Sequence, residues 1–189
     1  GGPHRSGESG PAKAGPYERL RTTTMVDEPV LVLCLGNDLR QDDGVGWAIA
    51  DALDADPPPG ADVRRSALSG FYLLDELVDR RHAIVVDAIQ TGRRPPGTVL
   101  EFTMEALATP SGPSPHAVGL PTVLDLGRRS GLALPDRVDV VAVEVENMAD
   151  VAEGIGDTVR RAIPEAVVAV RRRLQAIRAL EGASAGEAV

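Results

Sequence analysis

Four carboxylates and one histidine stand where an α/β protein keeps its chemistry. The run Gly36-Asn37-Asp38-Leu39-Arg40-Gln41-Asp42-Asp43-Gly44-Val45-Gly46 follows the apolar stretch Val30-Leu31-Val32-Leu33-Cys34-Leu35. An apolar run that stops at Gly and Asn reads as a buried strand with an abrupt end. Asp87 closes a second such stretch, His82-Ala83-Ile84-Val85-Val86-Asp87, and His116 follows in a Ser-Pro-His turn. Two carboxylates and an imidazole suit a divalent first-row metal such as Ni, Zn or Fe. They equally suit general acid–base work. Plainer roles compete: Asp42 or Asp43 as a cap on the next helix, Asp87 as a turn residue, and His116 as a solvated side chain.

The elements around these residues decide whether they can meet. A strand over about 29–36 leads to a helix from about Gly44, with Val45, Ala48, Ile49, Ala52 and Leu53 at helical spacing. Pro57-Pro58-Pro59-Gly60 ends that unit, and a short strand follows near Ala61–Ala67. Gly70–Val78 reads as a helix, His82–Asp87 as the third strand and Thr98–Phe102 as the fourth. A Pro/Gly/Ser loop leads to a helix from Leu120 or Pro121 to Ser130, closed by Gly131. Val138–Val145 is the fifth strand, and a final helix starts near Ile155, with Pro164 kinking or restarting it.

Strands alternating with helices predict an α/β fold: a three-layer sandwich whose twisted, mostly parallel five-stranded sheet carries helices on both faces. The turn before the fourth strand is too short for a helical crossover, so that strand is expected to run antiparallel at an edge. In a parallel sheet all carboxyl ends share one edge. Asp43 and Asp87 can then converge there, and His116, ahead of a helix, can reach the same place. Glu144, Glu146 and Asn147 follow the fifth strand on that edge and are candidates for substrate contact, with helix capping as the plainer role.

The chain has 189 residues with 43% apolar and 25% charged content, an ordinary soluble composition and enough for one core. Aromatics make up 3%, so Val, Leu, Ile and Ala must fill that core. A net charge of −8 argues against a nucleic-acid binder and an anionic membrane surface as partner. Lys13 is the only lysine; arginine supplies nearly all other positive charge, which reads as compositional drift. Cys34 is the only cysteine, which excludes an intrachain disulfide and a cysteine cluster. It is expected to be a small core residue. Neither a membrane span nor a signal peptide is visible, and cytoplasmic is the default.

Residues 1–24 read as a disordered tail, 25–180 as one domain and 181–189 as a flexible small-residue tail. The chain opens on Gly, and Met25 is an alternative start. His4 falls in the first tail and is given no role. His82 is expected to be structural or solvated, and Trp47 to pack in the core or mark a docking surface. Gly36, Gly44 and Gly46 do not make a G-x-G-x-x-G fingerprint, because Cys34 stands at the first position. A phosphate loop, an H-E-x-x-H and a G-x-S-x-G elbow are all missing from the sequence.

From Val30 to Leu174 the chain resembles the hydrogenase maturation proteases. The resemblance is carried by Leu35-Gly36-Asn37 through Asp42-Asp43-Gly44-Val45-Gly46, by Val85-Val86-Asp87-Ala88 with Pro96-Gly97-Thr98, and by Ser114-Pro115-His116 with Gly119-Leu120. It implies a sheet between helices and a C-terminal processing endopeptidase acting on the precursor of a [NiFe] hydrogenase large subunit. It further implies that Asp43, Asp87 and His116 meet nickel held by the precursor, not by the free enzyme. Asn37 and Asp38 then join Glu144 and Glu146 as expected substrate-binding residues. Departures from the family pattern are Asp43 where Glu is common, Cys34 in place of a glycine, and Arg65-Ser66-Ala67-Leu68-Ser69-Gly70 where many relatives have Asp-Gly-Gly. Two other readings stand beside this one: a nickel-sensing assembly chaperone that does not cut, and a metallohydrolase with its own metal. The expected partner excludes nucleic acid and membrane insertion.

Overall fold

The computed structural model describes residues 28–37, 41–104, 119–146, 148 and 154–186. Five strands form one sheet: β1 (Val30–Leu35), β2 (Ala61–Ser66), β3 (His82–Ile89), β4 (Val99–Thr103) and β5 (Arg137–Glu144), in the order β2-β1-β3-β5-β4. β1 pairs parallel with β2 and β3, and β3 with β5; β4 runs antiparallel to β5 at the edge. The expected mixed sheet is thus present, with the antiparallel strand where the short turn placed it.

Alternation along the strands builds two cores. Val30, Val32 and Cys34 of β1 face one cluster, together with α1 (Val45–Ala55) and the last helix, α4 (Asp157–Gly186). Leu31, Leu33 and Leu35 face the other, together with α2 (Leu73–Leu77) and α3 (Leu120–Arg129). Both faces of β1 and β3 are covered, which explains why their sequences are continuous apolar runs. Cys34 is buried, and burial pushes its thiol up to about 12, so it is inert as a nucleophile.

The ends of the elements follow local chemistry. α3 begins at Leu120 with Pro121 in its first turn, and Gly119 supplies φ +88 just before it. It closes in a Schellman motif: Leu132 N–H donates to Gly127 O and Gly131 N–H to Arg128 O, with Gly131 at φ +82. The expected helix over 70–78 is a 3-10 turn, Gly70–Tyr72, followed by the short α2.

α4 departs from the sequence reading twice. Pro164 does not restart it, because the helix is continuous through that position. One lost backbone bond is offset by the buried face of Ala162, Ala166, Ala169, Val170, Leu174 and Ile177. The helix also runs on to Gly186, beyond the expected boundary at 180. Glu181 ties this last part to the sheet: its Oε1 lies 3.4 Å from His82 Nε2 and 3.7 Å from Arg81 Nη1.

His82, at the start of β3, is held below its ordinary value chiefly by burial, with Glu181 and Asp136 opposing and Arg81 and Arg137 adding to the shift. Its Nδ1 is buried without a hydrogen-bond partner. The folded state therefore binds this proton less readily than the unfolded chain. The stability that neutral His82 allows is full above the unfolded value of about 6.5 and is lost as pH falls below it. Wild-type protein should lose unfolding midpoint relative to His82→Gln as pH drops through about 6.5. Parallel thermal melts of the two proteins across that range check the sign.

β5 and α4 are joined by charge. Asp139, fully buried, accepts two hydrogen bonds from Arg137 at 2.9 and 3.0 Å, and Arg173 lies 3.6 Å away. Arg173 also donates to Glu101 of β4 at 2.6 Å, so the edge strand is pinned to the helix. Among the described residues, no helix is long and apolar enough to cross a membrane.

Candidate active site at the carboxyl edge of the sheet

Strand order places a topological switch point between β1 and β3. The chain leaves β1 toward β2 on one side, and β3 lies on the other. In open α/β sheets, the crevice beyond the carboxyl ends at such a point is where ligands bind. Asp43 belongs to the loop after β1, and Asp87 sits near the end of β3. One carboxylate therefore comes from the turn after β1 and the other from the last residues of β3, on the two sides of the crevice.

Glycines set how closely these parts approach. A Cβ on Gly46, in the first turn of α1, would lie 2.0 Å from Leu35 O and 3.2 Å from Val86 O. α1 thus starts directly on the ends of β1 and β3. A Cβ on Gly36 would lie 2.3 Å from Asp43 O, so the loop closes back onto its own start. Between them, Gln41–Gly44 forms a 3-10 turn that packs against β3. Gln41 opens that turn at φ +40, a conformation that is uncommon outside glycine and clusters at functional sites.

The neighbouring aspartates of this turn have different tasks. Neither caps α1 through its side chain: the cap position is Gly44, which has no side-chain cap. Asp42 Oδ1 instead accepts a hydrogen bond from Gly156 N–H at 2.8 Å, just before α4. A Cβ on Gly156 would come within 3.2 Å of that oxygen. Asp42 therefore anchors the turn to the start of the last helix. Asp43 is 2% exposed, and Asp87 is fully buried, with Oδ1 accepting from Ala88 N–H at 2.8 Å.

Along β3, Asp87 has the strand parity of Ala83, Val85 and Ile89, which face the α2/α3 side. Leu120, at the start of α3, packs in that same cluster. The helix into which Ser114-Pro115-His116 leads thus lies on the side toward which Asp87 is directed. His116 and Asp38 themselves fall outside the described residues, as does Asn147. Among the described residues, no three His, Cys, Asp or Glu side chains form a group that could hold a metal ion. Asn37 is half-buried directly after Gly36.

Glu144 and Glu146 separate. Glu146 is exposed beyond β5, and its carbonyl accepts a hydrogen bond from Gln90 Nε2 at 2.5 Å. Glu144 is 1% exposed and faces inward. Its Oε1 accepts from Thr91 N–H at 2.7 Å and Gly92 N–H at 2.8 Å, and its Oε2 from Thr91 Oγ1 at 2.7 Å. Its backbone carbonyl accepts from Gly97 N–H at 2.7 Å, and its own N–H donates to Thr98 O at 2.9 Å. One residue therefore grips both ends of the turn that follows Asp87. Glu144→Ala would leave two backbone N–H groups facing a void. It should cost about 2–3 kcal/mol, in the range for hydrogen bonds to charged groups. Urea unfolding of the variant beside wild type measures it.

The fold has counterparts among solved structures. A family model described as hydrogenase maturation protease matches residues 67–173, more than half of the chain. The chain belongs to the hydrogenase maturation protease family. The matched segment includes Asp87 and His116 and starts beyond the first acidic loop. The protease is 33% identical over 124 residues to the hydrogenase 2 maturation protease of Escherichia coli K12, covering 63% of this chain and 74% of that one. It is also similar to the solved hydrogenase maturating endopeptidase HybD from E. coli. That likeness has a TM-score of 0.65 at 29% identity, over 78% of this chain and 92% of the other. HybD from Thermococcus kodakarensis, at 24% identity and a TM-score of 0.61, covers 77% and 99% and shares the fold. The α/β architecture of this protease is thus that of its family, and its chemistry is peptide-bond hydrolysis.

Proposed function

We propose that this protease removes a C-terminal extension from the precursor of a [NiFe] hydrogenase large subunit, and that the nickel it reads is part of that substrate. The observation that carries the reading is the pair of buried carboxylates beside the β1/β3 switch point, Asp43 in the turn after β1 and Asp87 near the end of β3. Asp43 and Asp87 offer oxygen ligands to a divalent ion presented there, and His116, a few positions before α3 in the sequence, offers a nitrogen. Mixed O and N donors suit a borderline metal such as nickel.

Hydrolysis adds water across the scissile amide: the hydroxyl joins the carbonyl carbon, and the proton goes to the leaving nitrogen. Nickel beside the scissile bond can polarise its carbonyl. A carboxylate not committed to the metal can take the proton from the attacking water. Asp42 and Glu144 act at one remove, by holding the turns that carry or follow Asp43 and Asp87. Asn37 and Glu146 follow β1 and β5 on that edge and, with Asp38, are proposed to touch the precursor, whereas Glu144 serves the turn it binds.

The test is the intact mass of precursor after incubation with the protease, with nickel loaded and withheld. Loss of a C-terminal peptide only from the loaded form supports the reading. A complex without mass loss would instead make the chain a nickel-sensing chaperone. Cleavage of unrelated peptides by protein that retains stoichiometric metal would make it an ordinary metallohydrolase.

A further inference from the structure

Asp87 stands on a part of β3 that is carried from one side. The ladder between β1 and β3 runs as far as Cys34↔Val86. The ladder between β3 and β5 runs on through Asp87↔Ala142 to Ile89↔Glu144. Asp87, Ala88 and Ile89 therefore extend past the pairing with β1, on the β3 side of the crevice, and their ladder support comes from β5. The end of a strand held along one edge opens more readily than a strand held on both, unless something else fixes it.

Glu144 supplies that fixing. It faces the same side of the sheet as Asp87, with the strand parity of Val138, Val140 and Ala142. Its carboxylate reaches beyond the ladder to Thr91 and Gly92, just past the end of β3. Val145 N–H donates to Ile89 O at 2.8 Å on the same stretch. A connection between two strands does not call for such a residue. The tip of the turn, Gly92–Pro95, is exposed, and water can satisfy N–H groups there. Burying a carboxylate is costly unless it is fully hydrogen-bonded. A buried glutamate committed wholly to a surface turn points to a turn that has to stay in one place.

The same residue relates this side of the crevice to the other. Glu144 O accepts from Gly97 N–H, and Gly97 lies so close to α4 that a Cβ there would stand 2.9 Å from Thr158 O. Just ahead of Thr158, Gly156 N–H donates to Asp42 Oδ1, in the turn that carries Asp43. Both sides are thus referred to the start of α4: Asp43 through Asp42, and Asp87 through Glu144.

We infer that Glu144 is a positioning residue for the hydrolysis: the reach of its side chain, not its charge, sets where Asp87 stands relative to Asp43. This rests on the function proposed above and adds the residue that spaces its two carboxylates. Glu144 does not touch the substrate, because both its oxygens are engaged by Thr91 and Gly92. Its effect therefore belongs in kcat, where misplacement of a reacting group is read, and not in KM.

Two substitutions separate reach from charge. Glu144→Asp keeps the charge and is shorter by a methylene, so it loses the turn or draws it inward. Glu144→Gln keeps the length without the charge: its oxygen can accept from the Thr91 and Gly92 N–H groups, and its amide can donate to Thr91 Oγ1. Cleavage of nickel-loaded precursor is followed by intact mass over a series of concentrations, well below the melting midpoint of each protein, so that folded enzymes are compared. Glu144→Asp should lower kcat at least about tenfold, toward the roughly hundredfold that a displacement of about 1 Å can cost, with KM within about threefold. Glu144→Gln should recover kcat to within about twofold of wild type. Thr91→Val removes one bond from the turn's side and should lower kcat at least about threefold, which keeps the test open if Glu144→Asp does not fold. A slow Glu144→Gln beside a fast Glu144→Asp would make charge the active feature and overturn the inference. Wild-type kcat in folded Glu144→Asp, or in Thr91→Val where the former does not fold, would reduce Glu144 to a structural contact and overturn it while the protease reading stands. Failure of wild type to cleave loaded precursor would remove the function on which the inference rests.

Discussion

Asp87→Asn should reduce cleavage of nickel-loaded precursor by at least about a hundredfold, the lower end of what a positioned acid–base or charge-stabilising group supplies. The fold should not suffer. Asp87 is fully buried and accepts a hydrogen bond from Ala88 N–H. Asparagine has the same size and keeps an oxygen for that bond. Activity and stability should therefore move apart, with the variant melting near the wild-type temperature while processing stops. This separation matters because a residue that only shaped the turn would lose both together. A melting curve and a precursor time course on the same preparation decide between the two. Full activity in Asp87→Asn would remove this carboxylate from the chemistry.

Gly46→Ala should produce the opposite pattern, losing stability and activity together. Two effects compete at this position. Alanine is preferred in a helix over glycine by about 1 kcal/mol. Against that, its Cβ would stand 2.0 Å from Leu35 O and 3.2 Å from Val86 O, both backbone atoms at the ends of central strands. A carbonyl in a parallel sheet cannot swing aside as a flexible side chain can, so α1 must move. Overpacking of this kind typically costs about 1–3 kcal/mol, and a backbone clash belongs at the upper end. The clash should therefore win. The helix that moves begins directly after the Asp42–Asp43 turn, and a shift of about 1 Å in a positioned group can cost on the order of a hundredfold in rate. Chemical unfolding and precursor cleavage of Gly46→Ala measure both effects. Wild-type stability would mean that the close approach of α1 to the sheet is not needed.

The sequence carried the scaffold because its physics is local. Val30–Leu35 and His82–Ile89 are apolar at every position or nearly so, as strands buried on both faces must be, and their length and Gly-rich ends separate them from helices. The short turn before β4 likewise signalled an antiparallel edge. Parallel order alone put the turn after β1, with Asp43, and the end of β3, with Asp87, on one edge of the sheet. The difference between Asp42 and Asp43 was not legible. They are adjacent in sequence, and what distinguishes Asp42 is an N–H donor at Gly156, brought near only by the packing of α4. Glu144 was placed at the right edge, but its inward engagement depends on the turn at Thr91–Gly92 folding back under β5. The end of α4 was obscured by composition. Ala, Gly and Ser after Glu181 look like a tail, yet alanine is the best helix former, and Glu181 is fixed beside His82 and Arg81.

Carboxylates of this protease are proposed to reach a nickel ion held by another protein. Nickel X-ray absorption tests it most directly. The sample is a nickel-loaded precursor made uncleavable at its scissile bond, measured alone and with saturating protease. Additional oxygen or nitrogen scatterers are expected around nickel in the complex, and fewer of them when Asp87→Asn protein replaces wild type. A nickel spectrum unchanged by saturating wild-type protease would contradict it.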